Sequence, residues 1–451
     1  MTTTTAPAPV RTVRRAAPRW WGDAGGVAAG LSLLVVTALW VSNGGARELA
    51  AGGSGALTAL GRLTGLWASD LLLLQVLLMA RIPLVERAFG QDRLARWHRW
   101  TGFGSFGLMV THIVTITLGY AAGRNAFAQL WDLVRTYPGM LLAAAGTALL
   151  LLVVVTSMRA ARRRLRHESW HLLHLYAYLG VGLALPHQIW TGSEFTGSVW
   201  ARAYWWTLYL AAAGAVLAYR IGLPLWRNRR HRLEVSRVVP EGPGLTSVYL
   251  TGRQLSALPV RAGQYFQWRF LDGPGWTRSH PFSLSATPQP DTLRITVKNQ
   301  GDGSARIAAL RPGTRVLIEG PYGKLTGEHY DGGPVVLLAC GIGITPLLSL
   351  LGELPYRDGE ATLVHRVRTE ADLAFRAELE WFATRRGVRV VPLVGSRADH
   401  PAAALPQVVP GIAGAHVYLC GPRDWAAEVR VAAIAAGARP RRIHTELFEG
   451  P

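Results

Sequence analysis

Five histidines stand within or at the ends of long apolar runs: His98 and His112 in one, and His171, His174 and His187 in another. Ionisable side chains are costly in a bilayer and are usually retained there for function. Imidazole is a standard axial ligand of haem iron. His98 and His112 lie 14 positions apart, a rise of about 21 Å that falls about 40° short of whole helical turns, so both face one side. His174 and His187 lie 13 apart, about 19.5 Å of rise but about 140° out of line on an ideal helix. Pro186 is placed to distort that turn. Two helices, each with an inner and an outer histidine, suit two stacked haems. His171 competes for the inner position, and the better-matched rise favours His174.

The helices that must carry these residues are legible as apolar runs. A spanning helix needs roughly 20 mostly apolar residues, and six runs qualify: Val27–Asn43, Leu63–Val85, His98–Ala121, Gly139–Met158, Trp170–Trp190 and Ala201–Trp226. The chain has 451 residues, 49% of them hydrophobic, with the apolar runs confined to its first half. Its net charge is +20, almost all arginine, since Lys298 and Lys324 are the sole lysines. The arginines cluster between apolar runs, which points to a membrane surface and not to nucleic acid.

Those clusters also predict orientation. Arg11, Arg14, Arg15 and Arg19 precede the first run; Arg87, Arg93, Arg96 and Arg99 follow the second. Arg159, Arg162, Arg163, Arg164 and Arg166 follow the fourth, and Arg227, Arg229, Arg230 and Arg232 the sixth. Positive loops stay inside, so a multi-pass cell-membrane protein is expected with both termini and the second half cytosolic. Residues 1–26 read as a disordered basic tail without a signal-peptide core. Of 17 tryptophans, 13 lie at or before Trp226, as an interfacial belt requires. Two cysteines, Cys340 and Cys420, suggest reduced thiols and no disulfide framework.

From His231 to about Thr326, short alternating runs separated by Gly and Pro read as a small antiparallel β-barrel. Within it, Val297–Ala305 (VKNQGDGSA) has glycines that admit a close backbone approach, a helix start at Ser304 that aims N–H groups at a pyrophosphate, and the charge of Lys298. From Pro334 a buried-strand run, Val335–Ala339, leads into Gly341-Ile342-Gly343-Ile344-Thr345-Pro346 and then a helical segment. Strand, Gly-rich turn and helix is the phosphate-binding arrangement of doubly wound sheets. ATLVHRV, VRVVPLV and AHVYLCG supply further strands.

The segments WHRWTGFGSFGLMVTHI and WHLLHLYAYLGVGLALPHQ resemble the third and fifth helices of the ferric reductase and NADPH oxidase family. The resemblance extends from about Leu63 to Phe448. It implies a six-helix transmembrane haem bundle (27–228), a β-barrel flavin domain (229–330) and an α/β nucleotide-binding domain (331–451). It implies two b-type haems, the inner on His98 and His174 and the outer on His112 and His187. Arg278–Ser285 (RSHPFSLS) resembles the flavin signature of ferredoxin–NADP reductase-like proteins. By that likeness Phe282 lies on the flavin ring of FAD and Ser283 bonds its edge. His280 stands where many relatives carry Arg, beside Pro281. Lys298, Gly303 and Ser304 fall on the family's flavin-phosphate loop, and Gly320-Pro321-Tyr322-Gly323 on its closing turn. Gly341, Gly343, Thr345 and Pro346 fall on its nucleotide turn, and Cys420-Gly421-Pro422 on its nicotinamide site. Glu446 and Phe448 fall on its C-terminal segment, where an aromatic covers the flavin; here three residues follow Phe448.

Arg366, Arg368 and Arg397 follow the strands that should meet the adenosine ribose, and arginine suits a 2′-phosphate; this favours NADPH over NADH. The expected path runs from NAD(P)H to flavin, inner haem, outer haem and an external acceptor. Ferric chelate is favoured over oxygen. Oxidases of the family carry an Arg on the second helix, matched by Arg62, and an extra His near the outer haem, where this chain has Ile116. A periplasmic protein partner is a third acceptor class.

Overall fold

The computed structural model describes residues 20–158, 161, 167–273 and 275–448. Residues 1–19 of the expected tail and the arginines at 11, 14, 15, 19, 159, 162–164 and 166 lie outside the described residues, and residues 20–26, expected to be disordered, are instead the first turns of a helix that continues into the first apolar run. Two compact units divide the chain, one ending at Gly222 and the other beginning at Leu223.

The first unit is helical. Its long helices are α1 (Trp20–Ser42), α2 (Gly53–Met79), α3 (Gln91–Ala121), α4 (Met140–Ser157), α5 (His167–Thr191) and α6 (Val199–Ala215). Each contains one of the six expected runs or most of it. Among the described residues, five helical stretches are long and apolar enough to cross a membrane: Asp23–Ser42, Gly53–Met79, Arg93–Ala121, Met140–Ser157 and Val199–His231. The expected fifth span is present as α5, but it is not among those five. Its histidines, Gln188 and Pro186 lower its apolar character, and those same side chains make it chemically useful.

Local signals explain the helix ends. Asn125 accepts from the N–H groups of Phe127 and Ala128 at the start of the Ala126–Thr136 helix, and Ser198 accepts from Ala201 N–H at the start of α6; both are ordinary caps. α2 packs along α3, and α4 along α5. Gly146 and Gly180 let α4 and α5 cross closely: a Cβ on Gly180 would stand 3.1 Å from the Gly146 carbonyl oxygen. α1, α2 and α6 share a core of Val36, Trp40, Leu63, Leu66, Leu73 and Trp205. Leu34, Leu141, Leu172 and Leu210 are exposed. That much exposed apolar surface suits lipid better than water.

The second unit opens with the Leu223–His231 helix, tied by Asn228 to both backbone groups of Ile318 (2.8 and 2.9 Å). Six strands follow: β1 (Glu234–Gly242), β2 (Leu245–Thr251), β3 (Tyr265–Phe270), β4 (His280–Ser283), β5 (Thr292–Lys298) and β6 (Val316–Tyr322). A closed barrel was expected. Instead the strands form two three-stranded antiparallel sheets, β1-β2-β5 and β4-β3-β6. Single bridges, Glu234 with Arg315 and Leu284 with Ile295, join them. Closure needs a continuous ladder. β4 has only four residues, and Pro281 within it has no N–H to donate. The faces enclose Phe266, Trp268, Leu284 and Ile295.

The remainder is a five-stranded parallel sheet in the order β11-β10-β7-β8-β9. Its strands are β7 (Val335–Cys340), β8 (Ala361–Val367), β9 (Arg389–Val394), β10 (His416–Pro422) and β11 (Ile443–Phe448). Helices α7 (Ile344–Glu353), α8 (Arg376–Arg386) and α9 (Arg423–Ala435) connect them. Strand order reverses between β7 and β10, which makes the carboxyl ends of those strands the binding crevice. Every expected strand of this region is present.

Candidate functional site

Within the first unit, His98 of α3 faces His174 of α5 with ring centroids 5.9 Å apart, and His112 faces His187 at 6.3 Å. These are the pairs that the matched rise favours over His171. An imidazole nitrogen sits about 2 Å from a bound transition metal, so two rings sharing one ion stand roughly 6 Å apart between centroids. The 140° phase offset of an ideal helix does not prevent the second pair. Pro186, which removes a helical hydrogen bond, lies in the turn that carries His187.

The Nδ1 atoms are all engaged. His98 Nδ1 lies 3.2 Å from the Gln75 carbonyl, and His112 Nδ1 2.7 Å from the Gly61 carbonyl. His174 Nδ1 lies 3.3 Å from Ser157 Oγ, and His187 Nδ1 2.9 Å from Thr191 Oγ1. The Thr191 hydroxyl donates to the His187 carbonyl at 2.6 Å, so it accepts from the ring. Partners of this kind fix the tautomer and direct Nε2 to a metal. Both carbonyls that hold the α3 rings belong to α2, so α2 orients imidazoles it does not itself carry.

Sequence reasoning missed Gly65. A Cβ there would stand 2.6 Å from His112 Nδ1, so the ring occupies the space of the absent side chain. Gly65→Ala is expected to displace the ring, weaken its bond to the Gly61 carbonyl and lower affinity for the outer group roughly tenfold or more. Haem titration of the variant measures this, with His98 and His174 as the internal control.

In the second unit, β4 pairs with β3 so that Phe282 lies opposite Phe266 and Ser283 opposite Tyr265. Trp268 Nε1 donates to the Phe282 carbonyl at 2.9 Å. The half-buried Phe282 ring lies nearly parallel to His280, 5.9 Å away and on the same strand face. Ser283 is buried. A Cβ on Gly303 would stand 3.1 Å from the His280 ring, so the glycine loop lies against β4 as a phosphate loop serving one flavin must. Its helix runs Asp302–Ala308 behind Gly301, starting two residues before the expected Ser304. The Ser304 hydroxyl donates to the Gly301 carbonyl and accepts from Gln300 N–H, both at 2.8 Å; it braces the loop.

Lys298 is engaged within the protein. Its Nζ lies 3.2 Å from Asp372 Oδ1, and β5 is thereby tied to the segment after β8. Arg294 of β5 makes a similar tie: Nη1 lies 2.9 Å from Glu378 Oε2 on α8, while Nε donates to Ser285 Oγ at 3.1 Å. These two pairs clamp the flavin-side sheet to the nucleotide-side sheet. Neither partner acid was singled out from sequence, because i to i+74 and i to i+84 contacts leave no local pattern.

At the switch point, β7 ends in Cys340 and β10 in Cys420-Gly421-Pro422. Gly341–Gly343 forms a 3₁₀ turn and α7 starts at Ile344. Thr345 is buried, with Oγ1 donating to the Ile342 carbonyl at 3.0 Å, and Pro346 is buried beside it. Cys420 pairs with Glu446, and Pro422 with Phe448. The Glu446 carboxylate lies near Gly323 and Tyr265. Phe448 is half buried against the core that holds Cys420. Burial, then Glu446 and Cys340, push the Cys420 thiol well above the usual range, so it is an un-ionised thiol at neutral pH. Burial also pushes Cys340 up, against the opposing pull of Arg366, Arg368 and Lys298.

Arg366 lies opposite Cys340 in the ladder, and its Nε is buried without a hydrogen-bond partner. That orphaned donor fits a phosphate of a bound nucleotide. Arg397, offered for the same role, is instead paired with Glu428 through Nε at 3.0 Å. His365, also missed, supports the turn: its Nε2 lies 3.1 Å from the Gly341 carbonyl.

Burial, opposed by the Gly341 bond, lowers His365 to about 4. Burial and the neighbouring His329 and His416 lower His444 to about 4. The unfolded chain titrates near 6.5 and binds the extra protons, so stability is full above that pH and is lost as pH falls from about 6.5 to about 4. Each histidine contributes at most about 3 kcal/mol to that loss. Chemical denaturation across this window is expected to show a steep acid decline, shallower in His365→Gln, whose amide can still reach the carbonyl.

Three families match in chain order. The family described as ferric reductase like transmembrane component matches residues 64–185. The FAD-binding domain family matches 244–326, and the oxidoreductase NAD-binding domain family 337–430. The chain is thus a fusion of segments that match these three domain families. The fusion is similar to the flavohemoprotein of Bordetella pertussis, 31% identical over 242 residues, covering 48% of this chain and 60% of that protein. It is also similar to the glycine betaine monooxygenase reductase subunit of Chromohalobacter salexigens, 27% identical over 244 residues, 49% and 65% of the two chains. The fusion thus spans about 60% of the length of the flavohemoproteins it matches. Among solved structures it is similar to the flavohem-like FAD/NAD-binding domain of nitric oxide dioxygenase from Vibrio cholerae, at 23% identity and TM-score 0.42, covering 49% of this chain and 99% of that one.

Proposed function

We propose that the fusion moves electrons from cytosolic NAD(P)H through FAD and two b-type haems to an extracytosolic acceptor, with a ferric chelate preferred. The observation that carries this reading is the cross-helix geometry of His98–His174 and His112–His187, at 5.9 and 6.3 Å between centroids. When bound, bis-imidazole haem supplies one-electron carriage without an open coordination site. Flavin converts a two-electron donor into single electrons. The chain's own part is positioning. Gln75, Gly61, Ser157 and Thr191 aim the four rings. Phe282 and Ser283 hold the flavin, and Arg366 with the Gly341–Gly343 turn holds the nucleotide, preferably NADPH. The arginine pattern supports a cytosolic position for the second unit.

Arg62 supports metal over oxygen. Its guanidinium is paired with Glu48 and stands 3.7 Å from Glu194 Oε1. Its charge is therefore compensated and is less able to favour an oxygen anion. Ile116 occupies the place of the extra histidine, against Gly61.

The test is anaerobic reduction of the FAD- and haem-loaded protein by NADPH, followed by visible spectroscopy. Reduced b-type bands, discharged faster by a ferric chelate than by oxygen, are the expected result. Bands that never appear with NADPH or dithionite would show that the histidines hold no haem.

A further inference from the structure

Asp70 is the sole acidic residue of the second apolar run, Leu63–Val85. It is wholly buried in the middle of α2. Two hydroxyl groups donate to one of its oxygens: Ser32 of α1 at 2.8 Å and Tyr204 of α6 at 2.6 Å. The other oxygen, Oδ2, is buried with no hydrogen-bond partner. Among the described residues no cation is paired with it; α1 supplies only Ser32, and the titratable groups facing the cluster are Tyr204 and Tyr209 of α6. Its neighbour Ser69 accepts from Gln188 Nε2 at 3.1 Å, and Tyr209 donates to Gln188 Oε1. Gln188 directly follows His187.

Interhelical adhesion alone does not account for an acid. An asparagine would also accept from Ser32 and Tyr204, and polar contacts between spans contribute only modestly to helix association. A carboxyl group at this depth with one oxygen unused is a functional site in its own right. Its position along α2 suggests the function. Asp70 lies five residues from Gln75, which orients His98, and nine from Gly61, which orients His112. These are axial separations of about 8 and about 14 Å. Over such distances in a weakly polar interior, unit charges influence one another far more than in water.

We propose that Asp70 is a redox-linked proton site: its carboxylate takes up one proton as an electron enters the histidine-held haems and releases it as the electron leaves. This rests on the haem reading above. The balance is simple. NAD(P)H, through flavin, supplies the electron that reduces ferric iron. Solvent hydronium supplies the proton: one of its O–H bonds breaks to leave water as an O–H bond forms on the Asp70 carboxylate. The added negative charge is thereby neutralised within the bundle, and both events reverse on oxidation.

The test is a potentiometric titration of the haem bands at a series of pH values, using the full haem-loaded chain in detergent. The wild-type midpoint is expected to fall as pH rises, with proton uptake on reduction seen by a pH indicator. Asp70→Asn should keep the haem spectrum, flatten the midpoint and lower the uptake by up to one proton per chain. Asp70→Ser serves if the first variant does not fold. Tyr204→Phe should move the pH window without abolishing the slope. A wild-type midpoint independent of pH, or an equal slope in the Asp70 variants, overturns the proposal while the haem reading stands. A chain that binds no haem overturns both.

Discussion

His112→Ala and His187→Ala are each expected to remove one of two haems and to cut electron delivery to an external acceptor by roughly 100-fold or more, since loss of an orienting partner alone costs about 10–100-fold. The rings stand 6.3 Å apart on α3 and α5, so neither can ligate alone at the strength of the pair. Each is separately braced, His112 by the Gly61 carbonyl and His187 by Thr191, so the surviving ring stays in place. The flavin and nucleotide site is built from another unit, so NADPH reduction of the bound flavin should change less than about twofold. Haem-to-flavin ratio, stopped-flow flavin reduction and ferric-chelate reduction measure the three effects. Retention of two haems in either variant would require a different ligand.

Gly343→Ala is expected to raise KM for NAD(P)H at least about tenfold and to destabilise the second unit by about 1–3 kcal/mol. A Cβ at Gly343 would overlap the Cys420 carbonyl oxygen and stand 3.3 Å from Gly421 N. Both are backbone atoms of the neighbouring strand, and neither can swing aside. The substitution therefore separates β7 from β10 at the point where the nucleotide enters. Gly341→Ala is the informative comparison. Its φ of +55° costs an L-residue about 1–2 kcal/mol, but nothing stands within 4 Å of the added atom. Gly341→Ala should therefore lower Tm with a smaller change in KM. Steady-state kinetics and thermal unfolding separate the two; equal KM changes would mean that the strand spacing does not control binding.

Much of this molecule is written in local pattern. Apolar runs of spanning length, histidines at matched depth, the Gly-rich turn after Val335–Ala339 and the strands ATLVHRV, VRVVPLV and AHVYLCG are properties of neighbouring residues. Helix and strand periodicities report such features directly. Residue count gave the depths of the histidines and favoured His174 over His171, while their pairing was what the family resemblance implied.

Tertiary structure decided whatever depends on distant segments. Lys298 and Arg397 carry the charge expected of phosphate ligands, yet Asp372 and Glu428 engage them, while Arg366 keeps an unpartnered Nε. The expected barrel strands lie in two sheets joined by the Glu234–Arg315 and Leu284–Ile295 bridges, the first a contact between segments far apart in the chain. Gly65, Gly61 and Gln75 became functional only when α2 lay along α3. Asp70 was not singled out from the sequence, because Ser32 and Tyr204 reach it from two other helices and only the fold brings them together. Chain order alone therefore determined the elements, their depths and the chemical types they carry. Which charges neutralise one another, and which side chains meet, was decided by packing, because those energies depend on distance in space and not on separation along the chain.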